Sequence, residues 1–345
     1  MKTIAFYLPQ YHPTPENSSW WVDGFTEWTN VTKAKPLFVD HHQPQLPRDL
    51  GFYDLRMPEI RQRQADLASA AGLDAFCYYH YWFNGRRILE RPFSETLWSG
   101  SPKFPFCICW ANESWTGIWH GAPDRLLIKQ DYGGIQEYTC HFNALLPAFL
   151  DDRYLTLEDK PIVVIWRPFD IPEGEQFLQT WRTLAKRNGL PGIHFVAFRH
   201  YAVPYQPLDH GYDAEIHLLM PPRRNNLEHD RSSPLPAVYD MRELIKHDFF
   251  TPKQRSNGQI YPCSIPNWDN TPRSGSNGIV FQNATPELFL EQLGAMQRWV
   301  DQGSAPPSLH FVKSWNEWAE GNFLEPDQRY GHGFLNAIHS FKRNT

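Results

Sequence analysis

Eight short apolar runs punctuate this chain, and amphipathic stretches separate most of them. The runs are Ile4–Leu8, Ala75–Tyr79, Phe104–Trp110, Ile162–Trp166, His194–Phe198, Asp213–His217, Ile260–Ile265 and Leu309–Trp315. Near-continuous apolar runs mark strands buried on both faces, as in parallel sheets covered by helices. The stretches between them supply those helices. Met57–Ala71 has Pro58 near its start and Gly72 just past its end, and Ile60, Leu67, Ala68 and Ala71 form a stripe. Pro286–Val300 follows Thr285, a suitable capping residue, and repeats Phe289, Leu293, Met296 and Val300 at three- and four-residue steps. Further helices are predicted at Gln136–Leu150, Glu173–Asn188, Tyr239–His247 and Gly333–Phe341. After the fifth strand no helix is legible.

Eight strands alternating with helices fit a closed α/β barrel, the (β/α)8 TIM barrel, better than a doubly wound open sheet. No GxGxxG or GxxxxGKS follows any strand, so the nucleotide-binding sheet loses its main support. A length of 345 residues is ordinary for a barrel with loop insertions. No repeat of helical-array period and no Gly/Ser linker interrupts the chain, so residues 1–345 are expected to form a single barrel domain with long βα loops. The segments after strands one, three and six are long: Pro9–Arg56, Ala111–Ile135 and Leu218–Val238. Each follows the carboxyl end of a strand, the end that carries the active site in such barrels.

The net charge of −5 leaves no basic footprint for nucleic acid, and no polybasic run suggests a membrane surface. No apolar run approaches 18 residues, so membrane insertion is not expected. Ile4–Leu8 is too short for a secretory core and no cleavage pattern follows it, which points to a cytoplasmic protein. The five cysteines form no CxxC pair; Cys77, Cys107 and Cys109 fall in strand runs and read as buried free thiols of a reducing compartment. Oligomeric state is not legible.

Aromatics are abundant: 14 Trp, 15 Tyr and 23 Phe. Many fill a core of this size. Trp beside acids and amides at strand ends carries a second reading, because sugar rings have apolar faces ringed by hydroxyls and their sites combine flat aromatics with polar groups. The densest such cluster is Lys313-Ser-Trp-Asn-Glu-Trp-Ala-Glu-Gly321, at the end of the last strand. In an extended chain Glu317 and Glu320 point to opposite faces. A turn after Trp318 brings both to one side. Two carboxylates flanking one bond are what glycosidic chemistry requires, one as proton donor and one as base or nucleophile. Trp315 and Trp318 then supply apolar walls, Asn316 orients the sugar, and Glu320, the more enclosed acid, holds its proton near neutral pH. The bland alternative makes both glutamates surface acids.

Similar clusters follow other strands. Trp110, Asn112, Glu113 and Trp115 follow the third, where Asn112 and Glu113 either bind sugar hydroxyls or cap the loop. Gln10, Tyr11, Glu27 and Trp28 lie after the first, with Trp20 and Trp21. Tyr79 opens a Tyr/His/Trp run after the second, and Trp268 and Asp269 follow the seventh. All are candidate substrate-binding residues on the carboxyl-end face. Metal binding finds no support: His12, His80 and His120 are scattered, His41 and His42 are adjacent, and no HExxH or HxH spacing occurs. No cofactor motif is present, and without a GxSxG elbow a serine hydrolase is disfavoured.

Read together, LPQYHPTPENSSWWVDGFTEWTNV, QPQLPRDLGFYDLR, FCYYHYWFNGRRILERPF, FPFCICWANESW, PNWDNTPR and WNEWAEGNFLEPD resemble the WbsX-type proteins, relatives of glycoside hydrolase family 99, the endo-α-mannosidase group. The resemblance runs from about Ile4 to Leu335. It implies a (β/α)8 barrel and metal-independent, retaining hydrolysis of an α-mannoside or related sugar in a microbial polysaccharide or oligosaccharide. It further implies that Glu317 acts as base on the substrate's own 2-hydroxyl, giving a 1,2-anhydro sugar, and that Glu320 serves as acid and then base. WbsX-type proteins are commonly named glycosyltransferases of surface-polysaccharide (O-antigen or capsule) biosynthesis, which keeps transfer open as the alternative. A carbohydrate-binding protein on an inactive barrel is disfavoured by the intact Glu317 and Glu320.

Overall fold

The computed structural model describes residues 1–117, 122–222 and 235–344. His120 and much of the long segment after the sixth strand lie outside them. Eight strands form the barrel: β1 (Lys2–Tyr7), β2 (Ala75–Phe83), β3 (Phe106–Trp110), β4 (Lys160–Ile165), β5 (His194–Phe198), β6 (Ala214–His217), β7 (Ile260–Ser264) and β8 (Leu309–Val312). Each pairs in parallel with the next, and β1 pairs with β8 in the register Lys2↔Leu309 to Ala5↔Val312, so the sheet closes on itself. All eight coincide with the apolar runs of the sequence.

The outer layer holds α1 (Pro58–Ala71), α2 (Arg91–Ser99), α3 (Gly134–Phe149), α4 (Gly174–Arg187), α5 (Met241–Lys246), α6 (Pro286–Asp301) and α7 (Gly333–Asn344). Gly72 ends α1 at φ 90°, a left-handed conformation costly for any residue with a Cβ. Thr285 caps α6 by accepting a hydrogen bond from the Leu288 N–H. Two features depart from the sequence reading. Strand β2 continues through the Tyr/His/Trp run to Phe83 and folds back on Arg86–Ile88, and α2 lies where no helix was expected. After β5 there is only a 3-10 turn, Pro207–His210, which accounts for the missing helical signal.

The barrel interior is aromatic. The Phe6 ring lies 5.6 Å from Tyr79, 5.3 Å from Phe198 and 5.3 Å from Phe311. A smaller core outside the barrel gathers Met241, Phe250, Ile265, Trp268 and Phe281 under a parallel pair, Ala237–Asp240 with Ile279–Gln282. All five cysteines are unpaired; four are buried and Cys140 is exposed. Among the described residues no helix is long and apolar enough to cross a membrane.

Candidate active site

Beyond β8 the chain makes a tight reversal. Asn316–Glu317 pairs antiparallel with Asn322–Phe323, and the 3-10 turn Trp318–Glu320 lies between them. Gly321 ends the turn at φ 52°, and a Cβ there would come within 2.8 Å of the Asp269 backbone. This turn places Glu317 and Glu320, three residues apart, on one side.

Both carboxylates converge on the same two cations. Lys313 Nζ lies 2.5 Å from Glu317 Oε1 and 3.5 Å from Glu320 Oε2. Arg273 Nη1 lies 2.7 Å from Glu320 Oε1 and 3.6 Å from Glu317 Oε2. The other edge of the guanidinium holds the fully buried Glu27, with Nε 2.9 Å from Glu27 Oε1, and Gln10 donates to Glu27 Oε2 at 3.1 Å. Lys313 donates to the Tyr79 hydroxyl at 3.1 Å and stands 5.5 Å from the centre of the Trp268 ring.

Three carboxyls against two cations leave one proton to be held. Burial penalises the charged form of Glu317, but Lys313 and Arg273 outweigh it and hold its carboxyl down to about 2. Burial, reinforced by the negative charge of Glu317, pushes Glu320 up to about 7. A hydrogen bond between the two side chains acts in the same sense, with protonated Glu320 donating to the Glu317 carboxylate. The arrangement is a neutral acid beside a fixed carboxylate, the division of labour seen where acid and base work on one bond. Enclosure does not set the order: Glu320 is 7% exposed and Glu317 4%, the reverse of the sequence expectation.

Of the candidate residues, Gln10, Glu27, Tyr79, Trp268, Glu317 and Glu320 meet at this cluster. Others are committed to holding the barrel mouth together. Asn316, expected to orient a sugar, accepts from the Leu8 N–H at 2.8 Å and donates to the Leu8 carbonyl at 3.0 Å, which clamps β8 to the end of β1. Asn112 makes the same clamp with Arg167, accepting from its N–H at 2.8 Å and donating to its carbonyl at 2.8 Å, across β3 and β4. Tyr11 is buried and donates to the Asn316 carbonyl. Trp28 donates to the Tyr53 carbonyl at 2.8 Å and Trp110 to the Trp82 carbonyl at 3.4 Å. Trp315 is fully enclosed, its ring 5.0 Å from Phe76. Trp318 stacks on Phe323 at 3.8 Å, so neither forms a wall open to ligand. Asp269 is saturated: His41 and Gln43 reach Oδ2 at 2.7 and 2.6 Å, and Thr271 binds Oδ1 through N–H and hydroxyl at 3.1 and 2.7 Å. Glu113 is solvent-accessible at the end of β3, yet the protein crowded around the mouth raises its carboxyl pKa against the pull of Arg167. Trp115 is half-buried there, edge-on to Trp20 at 5.9 Å.

Sequence reasoning missed Arg273 and Lys313 as site residues. Both stand inside motifs already singled out, each the lone cation among aromatics and amides. It also missed Glu325, a buried carboxyl raised to about 7 by burial although Trp318, Gln64 and Tyr53 all donate to it. Among the described residues no group of three or more His, Cys, Asp or Glu side chains is placed to hold a metal ion.

Comparison with known proteins shows the family and agrees with the fold. The family model described as Glycosyltransferase WbsX matches residues 3–338. Protein WxcX of Xanthomonas campestris pv. campestris is 38% identical over 344 residues, which cover 97% of this chain and 48% of WxcX. The chain thus spans about half the length of that relative. The GH99 endo-alpha-mannosidase from Bacteroides thetaiotaomicron shares the fold with a TM-score of 0.59 at 13% identity, over 99% of this chain and 96% of that one. A protein described as glycoside hydrolase-like superposes with a TM-score of 0.61 at 14% identity, over 99% and 93% of the two chains.

Proposed function

The chain belongs to the family described as Glycosyltransferase WbsX, and from that premise we propose that it is a retaining glycoside hydrolase acting on a microbial polysaccharide or oligosaccharide, with an α-mannoside or related sugar as substrate. The observation that carries the proposal is the Glu317–Glu320 pair: one carboxylate kept charged, one carboxyl kept protonated near neutral pH, both at the carboxyl end of β8. The fold shared with the endo-alpha-mannosidase of B. thetaiotaomicron supports it. Residues 1–345 act in this reading as one catalytic barrel.

The shared cations favour substrate assistance over a direct nucleophile. An ordinary retaining pair stands about 5–5.5 Å apart across the scissile bond. Here both carboxyls converge on the same two cations, Lys313 and Arg273, so both address one side of a sugar. In the proposed sequence Glu317 takes the proton of the 2-hydroxyl while O2 attacks C1. The bond from C1 to the leaving oxygen breaks, and Glu320 gives that oxygen its proton. Glu320 then removes a proton from water, which attacks C1; the C1–O2 bond opens and O2 recovers its proton from Glu317. Two inversions return the original configuration. A base held at low pKa is weak. A 2-hydroxyl that displaces the Lys313 ammonium from Glu317 removes the main charge holding it down, and so activates it only when substrate is bound.

Screening aryl glycosides and native polysaccharides tests the reading, with Glu320→Gln as the control and the anomer of the first product read by proton NMR. An inverted product, or rapid turnover of a 2-deoxy substrate, counts against this mechanism. The family description favours a second reading, glycosyl transfer in surface-polysaccharide assembly. Incubation with nucleotide sugars and an acceptor glycan separates the two, since only a transferase lengthens the acceptor.

A further inference from the structure

The proposed reaction gives Glu325 no part, although this carboxyl is buried just past the turn that carries Glu320. Three neutral donors converge on its two oxygens. Trp318 Nε1 donates to Oε2 at 2.6 Å, the Tyr53 hydroxyl to Oε2 at 2.9 Å and Gln64 Nε2 to Oε1 at 2.7 Å. All four side chains are buried. A carboxyl is costly to enclose, and glutamate is rarely found fully buried. The donors explain the choice: two acceptor oxygens answer all three at once, whereas a glutamine would turn an N–H against one of them.

The donors come from three parts of the chain. Tyr53 belongs to the long loop after β1, Gln64 to α1, and Trp318 to the 3-10 turn itself. Two of these arms are held again from behind. Gln64 accepts from the Tyr7 hydroxyl at 2.7 Å, and the Tyr53 hydroxyl accepts from Asn316 Nδ2 at 3.2 Å. The backbone closes the same ring, because the Leu324 and Glu325 N–H groups both donate to the Trp315 carbonyl, at 2.9 and 3.3 Å.

Trp318 follows Glu317 directly and precedes Glu320 by two residues. A 3-10 turn this short has few hydrogen bonds of its own, so its orientation is set by what holds its side chains. The indole is held at its N–H by Glu325 and along its face by Phe323, 3.8 Å away. A rotated indole would carry both neighbouring glutamates away from Lys313 and Arg273.

We propose that Glu325 is a positioning residue: acting through Trp318, it fixes the turn so that Glu317 and Glu320 meet, without touching substrate itself. The inference rests on the reading of that pair as base and acid. The test reads Glu320 directly, by carbon NMR titration of the full chain labelled at its glutamate carboxyls, with Glu320→Gln to assign the signal. In the wild type this carboxyl titrates at about 7, raised by burial and by the charge of Glu317. A loosened turn lets Glu320 part from Glu317 and meet water, so Glu325→Gln lowers the value by about one pH unit or more. Loss of a negative charge at Glu325 would act in the same direction through space. Trp318→Phe separates the two, because it deletes the indole N–H and leaves the carboxyl. It gives the same drop, and the double variant gives no more than either single one. On any glycoside that the wild type hydrolyses, each variant lowers kcat by about tenfold or more and changes KM little. A drop in Glu325→Gln alone, or in neither variant, overturns the proposal. If Glu325→Gln does not fold, an unmoved Glu320 in Trp318→Phe overturns it alone. The titration needs no substrate, which keeps the two failures apart: a wild type that cleaves no glycoside defeats the reading of the pair, and hydrolysis with Glu320 unmoved in the variants defeats only the role of Glu325.

Discussion

The ends of β3 and β8 carry nearly the same letters, Trp110-Ala-Asn112-Glu113 and Trp315-Asn316-Glu317. In both, the asparagine amide bridges the N–H and the carbonyl of one residue at the end of the following strand, Arg167 in one case and Leu8 in the other. In both it also donates to a tyrosine hydroxyl, Tyr132 or Tyr53. The glutamates then part company. Glu317 meets Lys313 and Arg273 and is held charged; Glu113 has Arg167 near it, but the surrounding protein dominates and raises its pKa. The same motif therefore builds a clamp twice and a pair of cation-bound carboxyls once. What separates them is the third partner: Arg273, delivered from the segment after β7, and the 3-10 turn that returns Glu320.

The largest effect expected from that difference is catalytic. Glu317→Gln and Glu320→Gln each lower kcat by about 10²–10⁴, the usual scale for removing a positioned acid or base, while Glu113→Gln costs less than about tenfold. Steady-state kinetics on any glycoside the wild type hydrolyses decide it; a Glu113→Gln loss equal to the other two erases the distinction. The clamps come next. Asn112→Ala and Asn316→Ala strand buried backbone groups, and each lowers stability by about 1–3 kcal/mol in chemical denaturation. Comparable costs at the two sites support one shared role, and a cost at Asn316 alone breaks the symmetry. The pH profile follows. Glu320 must be protonated to act as acid, so kcat/KM falls as pH rises through about 7. Because Arg273 lowers that pKa, Arg273→Gln moves the falling limb to higher pH, whereas Arg167→Gln at the β3 end leaves it in place. A limb unmoved by Arg273→Gln removes Glu320 from the role. The smallest effect is on binding: Trp115→Ala, at the open β3 mouth, weakens oligosaccharide affinity by about 1–3 kcal/mol with little change in kcat. A fall in kcat instead would tie that mouth to the chemistry.

The barrel was legible because a strand buried on both faces must be apolar almost throughout, and β1, β3 and β4 are. α2 was not, since its nine residues hold only one clear apolar pair, Phe93 and Leu97, although Pro92 and Gly100 bracket it as start and stop signals. At the site, the position of Glu317 and Glu320 was readable from the strand end, and the side-by-side arrangement from the turn that follows Trp318. The direction of a polar side chain was not. Asn316 and Asp269 look like ligand-binding residues in the sequence, and only their partners Leu8, His41 and Gln43, far away in the chain, show them turned toward protein. Arg273 and Lys313 were hidden for the opposite reason: a single cation has no spacing, and it gains meaning only where the ends of β1 and β8 bring carboxyls to it.

The clamp between Asn316 and Leu8 joins residues 308 positions apart. At ribosomal speeds of roughly 5–20 residues per second, β1 waits on the order of 15–60 s for the partner that closes its free edge. Throughout that time the nascent sheet is open, with β1 exposing the kind of unpaired edge that invites other chains. The pair Glu317 and Glu320 is assembled in the same closing step, so an unclosed barrel exposes that edge and lacks the paired carboxylates. Protecting that edge until β8 arrives is a demand on the folding pathway that the stability of the finished barrel does not meet.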